Sequence, residues 1–494
     1  MSKQFKRILY VPFDHLNRDC GVLKDADAVT DLIVLVESAR MTIRRDWNKQ
    51  RLFFLISSAR HFAQECRDAG FTVEYIKAPT TIDGLKAVQG KYGELHISCA
   101  EPSSFVQYQQ LAEFGIEFVP NDFFLTSRAD FALWASKQKS FLMENFYRAQ
   151  RVRLNILVQD GKPEGGAWNY DKENRLPPPK NYTWPEYLTH NRDAIDLEVC
   201  RELGIEPTDT WATTRDGALQ QLQWFIEHSL HNFGPYEDAV AQGSWSMHHS
   251  LLSPYLNNGL LHALEVIEAV VAEYAAGRAP IASVEALVRQ VIGWREYING
   301  MYWFLGHDYR YNNHLQANRK LLPLFKDSSK TKMNCVQHVV SDVHERAWTH
   351  HIPRLMILSN LALITGTNPV EFLDWMREQF IDASEWVMVP NVIGMGLHAD
   401  GGQMMTKPYA AGGAYLSRMT EYCKGCVYDP KLRVGETACP FTTLYWDFLD
   451  RHKDQFVKNH RMSQQVNGLK RLSDLDELKV RAQEVLTGLD NGTI

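Results

Sequence analysis

Short apolar runs alternate with longer mixed segments through residues 1–130. Six runs are dense in Val, Ile, Leu and Phe, as buried strands of a parallel sheet are: RILYVPF, DLIVLVES, RLFFLIS, FTVEYI, ELHISCA and IEFVP. The segments between them are long enough for crossover helices. The pattern predicts a doubly wound parallel sheet in an α/β domain at residues 1–135. No G-x-G-x-x-G follows the first run, so ordinary dinucleotide binding has no support.

The apolar pattern changes after this region. Gly, Pro and Asn are frequent from Asp160 to Leu188, which predicts a long surface connector within an interdomain linker at 136–205. The apolar period then becomes helical, with recurring Leu219, Leu222, Ile226 and Leu230 before a stop at Gly234-Pro235. The layout predicts a second, all-α domain at 206–494.

A further helix is expected in TNPVEFLDWM. Asn368 suits the N-cap position, and Pro369 suits the first turn because its missing N–H has no partner there in any case.

Composition narrows the class of protein. The 494 residues are 45% hydrophobic and 23% charged, which is typical of a folded protein of more than one domain. The net charge of −6 argues mildly against nonspecific polyanion binding, although a local basic face remains compatible with it. The apolar runs are too short to span a membrane, and no signal-peptide cleavage region follows the N-terminus. We expect a cytoplasmic, monomeric protein.

Three cysteines are grouped in TEYCKGCVYDPKLRVGETACP. Cys423 and Cys426 form a C-x2-C pair, and Cys439 follows before a proline. Cys335 is the one further cysteine in the predicted helical half, which makes it the natural fourth ligand. Zinc and iron–sulfur clusters both accept such a ligand set, and the spacing alone leaves the choice open.

Several ordered motifs share a resemblance. HHSLLSPYLNNGLL at 248–261 resembles the flavin-binding signature of photolyases and cryptochromes, although a capped helix turn would give a similar pattern. VIGWREYINGMYW and AWTHHIPRLMILSNLAL resemble two further helices of that superfamily. With GGAWNYDKENRLPPP, TKMNC, PNVIGMGLHADGG and the four cysteines, the chain resembles the iron–sulfur bacterial cryptochromes and photolyases, also called prokaryotic (6-4) photolyases.

The resemblance implies a fold and an activity. The fold is an N-terminal antenna domain and a C-terminal helical domain that holds FAD and a 4Fe–4S cluster on the four cysteines. Reduced flavin, excited by light, donates an electron to a (6-4) lesion flipped out of UV-damaged DNA. That repair also needs a proton donor, and histidine suits this role.

The resemblance also assigns site residues. His351 is the expected proton donor with His350 assisting, and Arg354 holds charge near the flavin or pairs with a buried acid such as Asp382. The hydroxyls of Tyr409 and Tyr415 are expected at the lesion pocket. The flavin neighbours implied are Tyr236, His249, Ser250, Leu251, Leu252, Ser253, Trp294 and Asn391.

The residues expected to relay electrons to the flavin match the family pattern less closely than the site residues do. The implied candidates are Trp375, Trp348 and Trp386. The chain departs from the family pattern at two positions: Asp327 stands where relatives often have tryptophan, and Met376 stands where some relatives have tyrosine. The resemblance therefore does not define the part of the relay nearest the protein surface.

Two further groups are implied. A 6,7-dimethyl-8-ribityllumazine antenna would lie at the strand ends near Phe13, Asp14 and Glu37, although Glu37 could equally be an acid that faces water. Mg²⁺ would assist DNA binding or repair, but no compact acidic cluster marks a site for it.

Three alternatives stay open at this point. A cryptochrome-type photoreceptor would keep the FAD and the cluster with little repair. A cyclobutane pyrimidine dimer photolyase would need no proton donor. A zinc-stapled DNA-binding protein would lack redox chemistry and visible colour.

Overall fold

The N-terminal region is built on a five-stranded parallel sheet. The structure, a computed structural model, describes residues 5–43 and 45–494. The strands run in the order β3-β2-β1-β4-β5 and all pair in parallel. The chain moves outward from β1 in one direction and then in the other, so the predicted doubly wound parallel sheet is confirmed. The strands are β1 (Arg7–Tyr10), β2 (Asp31–Ser38), β3 (Thr72–Ala78), β4 (His96–Ala100) and β5 (Glu117–Val119).

One predicted strand is wrong. RLFFLIS lies inside a helix, α2 (Lys49–Asp68), and not in the sheet. The Asn48 side chain caps this helix by accepting a hydrogen bond from the N–H of Gln50. Apolar residues continue at helical spacing through Phe62 and Cys66, which is longer than a strand, and the dense start of the run hid this period.

Helices surround the sheet and form the rest of the fold. In the first 203 residues they are α1 (Ala39–Ile43), α2, α3 (Thr81–Tyr92), α4 (Phe105–Glu113), α5 (Arg128–Ala135), α6 (Met143–Leu154) and α7 (Ala194–Leu203). A two-stranded hairpin joins β6 (Val158–Gln159) to β7 (Lys162–Pro163). Residues 167–193 contain neither helix nor strand, whereas the first part of the predicted connector contains β7 and a short 3-10 turn at Glu164–Gly166.

The remaining chain is helical. Its first half contains α8 (Arg215–His228), α9 (Leu230–Phe233), α10 (Ser253–Asn258), α11 (Ala263–Ala275), α12 (Ile281–Val288), α13 (Glu296–Leu305) and α14 (Asn334–Arg346). Its second half contains α15 (Asn360–Thr365), α16 (Pro369–Gln379), α17 (Glu385–Val389), α18 (Gly413–Met419), α19 (Pro440–Arg451), α20 (Lys453–Phe456), α21 (Ser463–Leu469) and α22 (Leu475–Asn491). Within the described residues, none of the helices is both long and apolar enough to cross a bilayer.

The predicted start of α16 is confirmed. The Asn368 side chain accepts hydrogen bonds from the N–H groups of Val370 and Glu371, and Pro369 occupies the first turn. The helix therefore begins at the residue that the capping pattern indicated.

Three short π-helical segments interrupt the helical region, at Arg289–Arg295, Pro353–Ser359 and Pro390–Gly396. Each follows directly on a helical turn and precedes another helix or the next loop. Such wider turns redirect side chains and occur often at functional sites. All three segments contribute residues to one large cavity.

Candidate active site

The cavity lies within the helical region and has a volume of about 790 Å³. This is within the range of cofactor and ligand pockets in proteins. It is lined by most of the residues that the sequence singled out: His249, Ser250, Leu251, Leu252, Ser253, Trp294, Trp348, His350, His351, Arg354, Trp386, Asn391, Tyr409 and Tyr415. Segments far apart in sequence therefore meet around one space.

Three histidines meet on one wall. The rings of His249 and His350 stack with centroids 4.1 Å apart, and His351 meets His350 edge-on at 5.6 Å. Their ligand-type nitrogens lie within 4.8 Å of one another. The parallel stack directs the in-plane lone pairs of His249 and His350 side by side instead of toward one ion, so the group suits acid–base chemistry better than metal binding.

His351 differs from the other two histidines in charge. Burial, and then the neighbouring histidines, hold the pKa of His350 well below its ordinary value, and burial does the same for the pKa of His249. Desolvation, the largest single influence, opposes protonation of His351 as well, but the hydrogen bond between its Nε2 and Asp238 Oδ1, at 3.3 Å, together with the negative charges of Asp238 and Glu237, raises the pKa of His351. The ring of His351 is 48% exposed, and it opens into the cavity. It is thus the ring best suited to carry a proton there.

Arg354 forms an ion pair on the same wall. Its guanidinium donates two hydrogen bonds to Asp382, at 2.9 and 3.0 Å. The hydroxyl of Ser253 donates to the same carboxylate at 2.7 Å. Asp382 thereby ties the π-helical segment of Arg354 to the start of α10, with both charges compensated.

Tyr409 and Tyr415 lie on another part of the lining, half-buried. Burial raises the pKa of both phenols, so they stay neutral and can donate hydrogen bonds. Positive groups lie close by: Arg461 and Arg175 act electrostatically on Tyr409, and Lys407 lines the cavity itself.

Polar atoms around the cavity lack partners. Within the described chain, buried nitrogens without a hydrogen bond occur on six residues of the lining: Asn174, His249, Arg289, Arg295, Trp348 and His350. Buried polar groups in proteins are almost always satisfied. Buried nitrogens of this kind in the lining of one cavity suit a polar ligand that supplies the missing hydrogen-bond partners.

Two predicted site residues lie elsewhere. Tyr236 is outside the lining and packs in an aromatic cluster with Tyr182, Trp184 and His248. Trp375 is also outside it, although its chain neighbour Met376 borders the cavity.

The sequence patterns did not indicate three acids of the lining, Asp171, Glu237 and Asp238, of which the last two act on His351. Burial raises the pKa of Glu237 to about 7, and Gln290 and Arg289 are its neighbours. Asp238 binds His351. An acidic pair directly after Tyr236 was the available signal, but nothing in the sequence shows that it reaches the histidines.

The four predicted cysteines lie near one another, on α14 and in the segment that leads into α19. Cys335 is in the first turn of α14, Cys439 is the residue before α19, and Cys423 and Cys426 lie in the turns between α18 and α19. Burial, and then the three neighbouring thiols, raise the pKa of Cys335 well above its ordinary value. Cys335 and Cys439 lie in the main core of the helical region, and Cys423 and Cys426 pack against that core.

The predicted antenna residues lie at the sheet. Phe13 is buried and stacks on Tyr75 at 6.1 Å, while Asp14 beside it is half-buried. Glu37 does not face water: its side chain is 11% exposed and accepts hydrogen bonds from Arg60 at 3.1 Å and Tyr75 at 2.6 Å. The reading of Glu37 as a solvent-facing acid is therefore wrong, because cations and a phenol from neighbouring elements cover it.

Comparisons with known proteins place this arrangement in a class. A family profile described as "Deoxyribodipyrimidine photo-lyase-related protein" matches residues 9–217. The crystal structure of a bacterial class III photolyase from Agrobacterium tumefaciens superposes with a TM-score of 0.58 at 15% identity, covering 92% of this chain and 98% of that one. A cryptochrome of Synechocystis sp. superposes with a TM-score of 0.56 at 15% identity, covering 80% and 83%. The fold is that of photolyases and cryptochromes.

A sequence relative narrows the class. A (6-4) photolyase of Agrobacterium fabrum is 39% identical over 503 aligned positions, which cover 97% of this chain and 98% of that protein. The chain belongs to the (6-4) photolyase family.

Proposed function

We propose that this protein repairs (6-4) photoproducts in DNA with light, through a reduced FAD bound in the cavity and a proton from His351. The observation that carries the proposal is His351, a histidine of raised pKa held by Asp238 at the cavity surface. The full-length likeness to a (6-4) photolyase supports the choice of lesion. Repair of a cyclobutane dimer needs no proton donor, so His351 would have no role in that reaction.

The cavity suits FAD. Its volume, the buried Nε of Arg295, which makes no hydrogen bond, and the polar side chains of His249 and Ser250 fit a cofactor with a pyrophosphate and a polar ring edge. Trp294 and Asn391 line the same cavity, and in this proposal they contact the rings of FAD. When bound, FAD supplies the electron for repair after it absorbs light.

His351 supplies the proton. Its Nε2–H is occupied by Asp238, so in the doubly protonated ring the Nδ1–H is the one available to the lesion. Asp238 fixes the ring and stabilises its positive charge. His350 and His249 stay neutral behind it and limit how far the ring can turn.

DNA binding follows from the cavity rim. A lesion must leave the base stack to reach a cavity, and Tyr409 and Tyr415 can donate hydrogen bonds to its bases. Arg175, Lys407 and Arg461 can neutralise phosphates around the opening. Such a local basic face is compatible with a negative total charge.

The four cysteines hold a 4Fe–4S cluster in this proposal. Around a single zinc ion with bonds of about 2.3 Å, tetrahedral sulfurs would lie about 3.8 Å apart. In the described part of the chain, the cysteines are not among the groups of three or more ligand atoms that approach within 4.8 Å of one another. The wider spacing supports a multinuclear cluster over zinc.

The remaining assignments complete the proposal. Residues 1–135 form the antenna domain, 136–205 the linker, and 206–494 the domain for FAD and the cluster. The lumazine antenna lies beside the stacked rings of Phe13 and Tyr75 near Asp14. Glu37 then orients Tyr75 and Arg60 toward it, since its own oxygens are engaged.

Product analysis tests the function. The reduced protein is illuminated with two oligonucleotides, one with a (6-4) lesion and one with a cyclobutane dimer, and the products are separated. Light-dependent loss of the (6-4) lesion alone is expected. Repair of the dimer alone would overturn the lesion assignment, and repair of neither by flavin-loaded, reduced protein would favour the photoreceptor.

A further inference from the structure

A run of oxidisable rings leads from the cavity to the protein surface. Trp348 lines the cavity, and its ring centroid is 5.6 Å from that of Trp245. Trp245 in turn lies 5.2 Å from Tyr187. Trp348 is buried, whereas Trp245 and Tyr187 are partly exposed. Every step is within the contact range of aromatic side chains.

We propose that Trp348, Trp245 and Tyr187 form the route by which electrons from solvent reach the cavity and reduce the flavin in light. The inference rests on the proposed binding of FAD. It assigns a role to Trp245 and Tyr187, which have no part in the site described above, and gives Trp348 a definite outward neighbour.

Tyr187, at the outer end of the route, has a proton acceptor beside it. A phenol that gives up an electron must also release its proton, and the hydroxyl of Tyr187 donates to the carboxylate of Asp209 at 3.4 Å. This carboxylate belongs to the connector before α8 and lies at the surface. A base is therefore in place where the positive charge arrives.

Nearby cations do not block the route. The guanidinium of Arg354 lies 5.9 Å from the ring of Trp348, and that of Arg346 lies 5.5 Å from Trp245. Both are compensated, since Arg354 pairs with Asp382 and Arg346 pairs with Asp342 at 2.7 Å. At Tyr187 two acids, Asp209 and Glu345, act on the phenol together with one cation, Arg346, and this negative excess favours movement of the positive charge outward.

The electrons balance with an external thiol as reductant. One electron passes from Trp348 to the photoexcited oxidised flavin. Trp245 then donates an electron to oxidised Trp348, and Tyr187 donates an electron to oxidised Trp245. The phenolic proton goes to Asp209 and then to water. In successive turnovers two thiols each give one electron and one proton to the Tyr187 radical, which restores the phenol, and the two sulfurs form one disulfide; the two protons that passed through Asp209 are the ones released overall.

A second run of rings provides the comparison. Trp294 lies 6.1 Å from Tyr297, which lies 6.4 Å from the partly exposed Trp134. Here the buried hydroxyl of Tyr297 donates to the backbone carbonyl of Phe141, which cannot take up a proton. A radical on Tyr297 is therefore disfavoured, because the phenol has no group to which it can release its proton. The run of Trp294, Tyr297 and Trp134 should carry electrons poorly.

Two further tryptophans, Trp386 of the cavity and Trp375, the relay residue expected from the sequence, have only phenylalanine as aromatic neighbours among the described rings. Among described residues, Trp386 has a ring contact only with Phe124. Trp375 contacts Phe325, Phe372 and Phe380, and no tyrosine or tryptophan among the described rings. Phenylalanine is too hard to oxidise to carry the charge onward.

The test compares Trp245→Phe with Trp134→Phe in the flavin-loaded protein. Both changes keep an aromatic ring, and protein whose flavin content and thermal midpoint match the wild type is used. Bleaching of the oxidised flavin absorbance is followed under blue light with dithiothreitol, and the light-induced tyrosyl radical is recorded by paramagnetic resonance.

Trp245→Phe is expected to lose most of the photoreduction rate and the radical signal, and Trp134→Phe is expected to keep both. Trp245→Tyr, which remains oxidisable, should restore part of the rate. Dithionite in the dark should reduce the flavin of all variants equally. Normal photoreduction by Trp245→Phe, or loss in Trp134→Phe alone, would overturn the route, whereas a wild-type protein that binds no flavin would overturn the proposed function itself.

Discussion

Replacing Asp238 with asparagine isolates the proton donor from its partner. The side chain keeps its size, but the carboxylate that raises the pKa of His351 is removed. The two atoms are 3.3 Å apart, and their side chains are 48% and 26% exposed. At such exposure an ion pair contributes about 0.2–1 kcal/mol.

This energy sets the size of the effect. Because one pKa unit corresponds to about 1.36 kcal/mol, Asp238→Asn should lower the pKa of His351 by about 0.1–0.7 unit. Well above the pKa, the protonated fraction of His351 then falls by at most about fivefold, and well below the pKa it does not change. The falling limb of the repair profile should therefore move to lower pH.

The assay is the initial rate of (6-4) repair against pH, with flavin chemically reduced beforehand so that photoreduction does not contribute. The titration of the His351 ring by NMR gives the pKa independently. Asp171→Asn is the matched control, because Asp171 also lines the cavity but pairs with Arg289. An unchanged profile in Asp238→Asn, or an equal shift in Asp171→Asn, would refute the reasoning.

Three further predictions concern the cluster, the ion pair and pH. Cys423→Ala should give insoluble or colourless protein, because the cluster and the fold form together. The control variant Cys200→Ala should keep its iron. A soluble, fully active Cys423→Ala protein would refute the ligand assignment. Asp382→Asn should lower the free energy of unfolding by about 3 kcal/mol, since it leaves the mostly buried Arg354 unpaired. Glu484→Gln, at a surface pair, should change it by less than about 0.5 kcal/mol, and equal effects in urea titrations would contradict this. Finally, the lowered pKa values of His249 and His350 mean that the unfolded chain binds more protons, so stability should fall as the pH drops below about 6.5. His351, with its raised pKa, contributes stability below about 6.5 that is lost as the pH rises through the folded pKa. Urea titrations across this range should show a shallower acid loss for His350→Phe, and an unaltered pH dependence would contradict the first of these two effects.

The sheet and the main helices could be read from the sequence because local patterns encode them. Five of six apolar runs form strands, and the cap at Asn368 marks the start of α16. RLFFLIS failed because adjacent Leu and Phe residues are buried on several sides of α2, which hides the helical period over seven residues.

The site was only partly predictable for a similar reason. Motifs identify residues of the cavity, but the direction of each side chain depends on packing. In α16, successive residues are about 100° apart, so Met376 faces the cavity while Trp375 packs among phenylalanines. The Asp238–His351 contact joins residues 113 positions apart, and no local pattern reports such a pairing.

The most direct test of the account is repair by His351→Ala, compared with wild type at equal content of reduced FAD. The two lesion-bearing oligonucleotides are illuminated with each protein, and the products are counted. We expect His351→Ala to keep its flavin and to lose most repair of the (6-4) lesion. Normal (6-4) repair by this variant would show that the proton comes from elsewhere and would contradict the central claim.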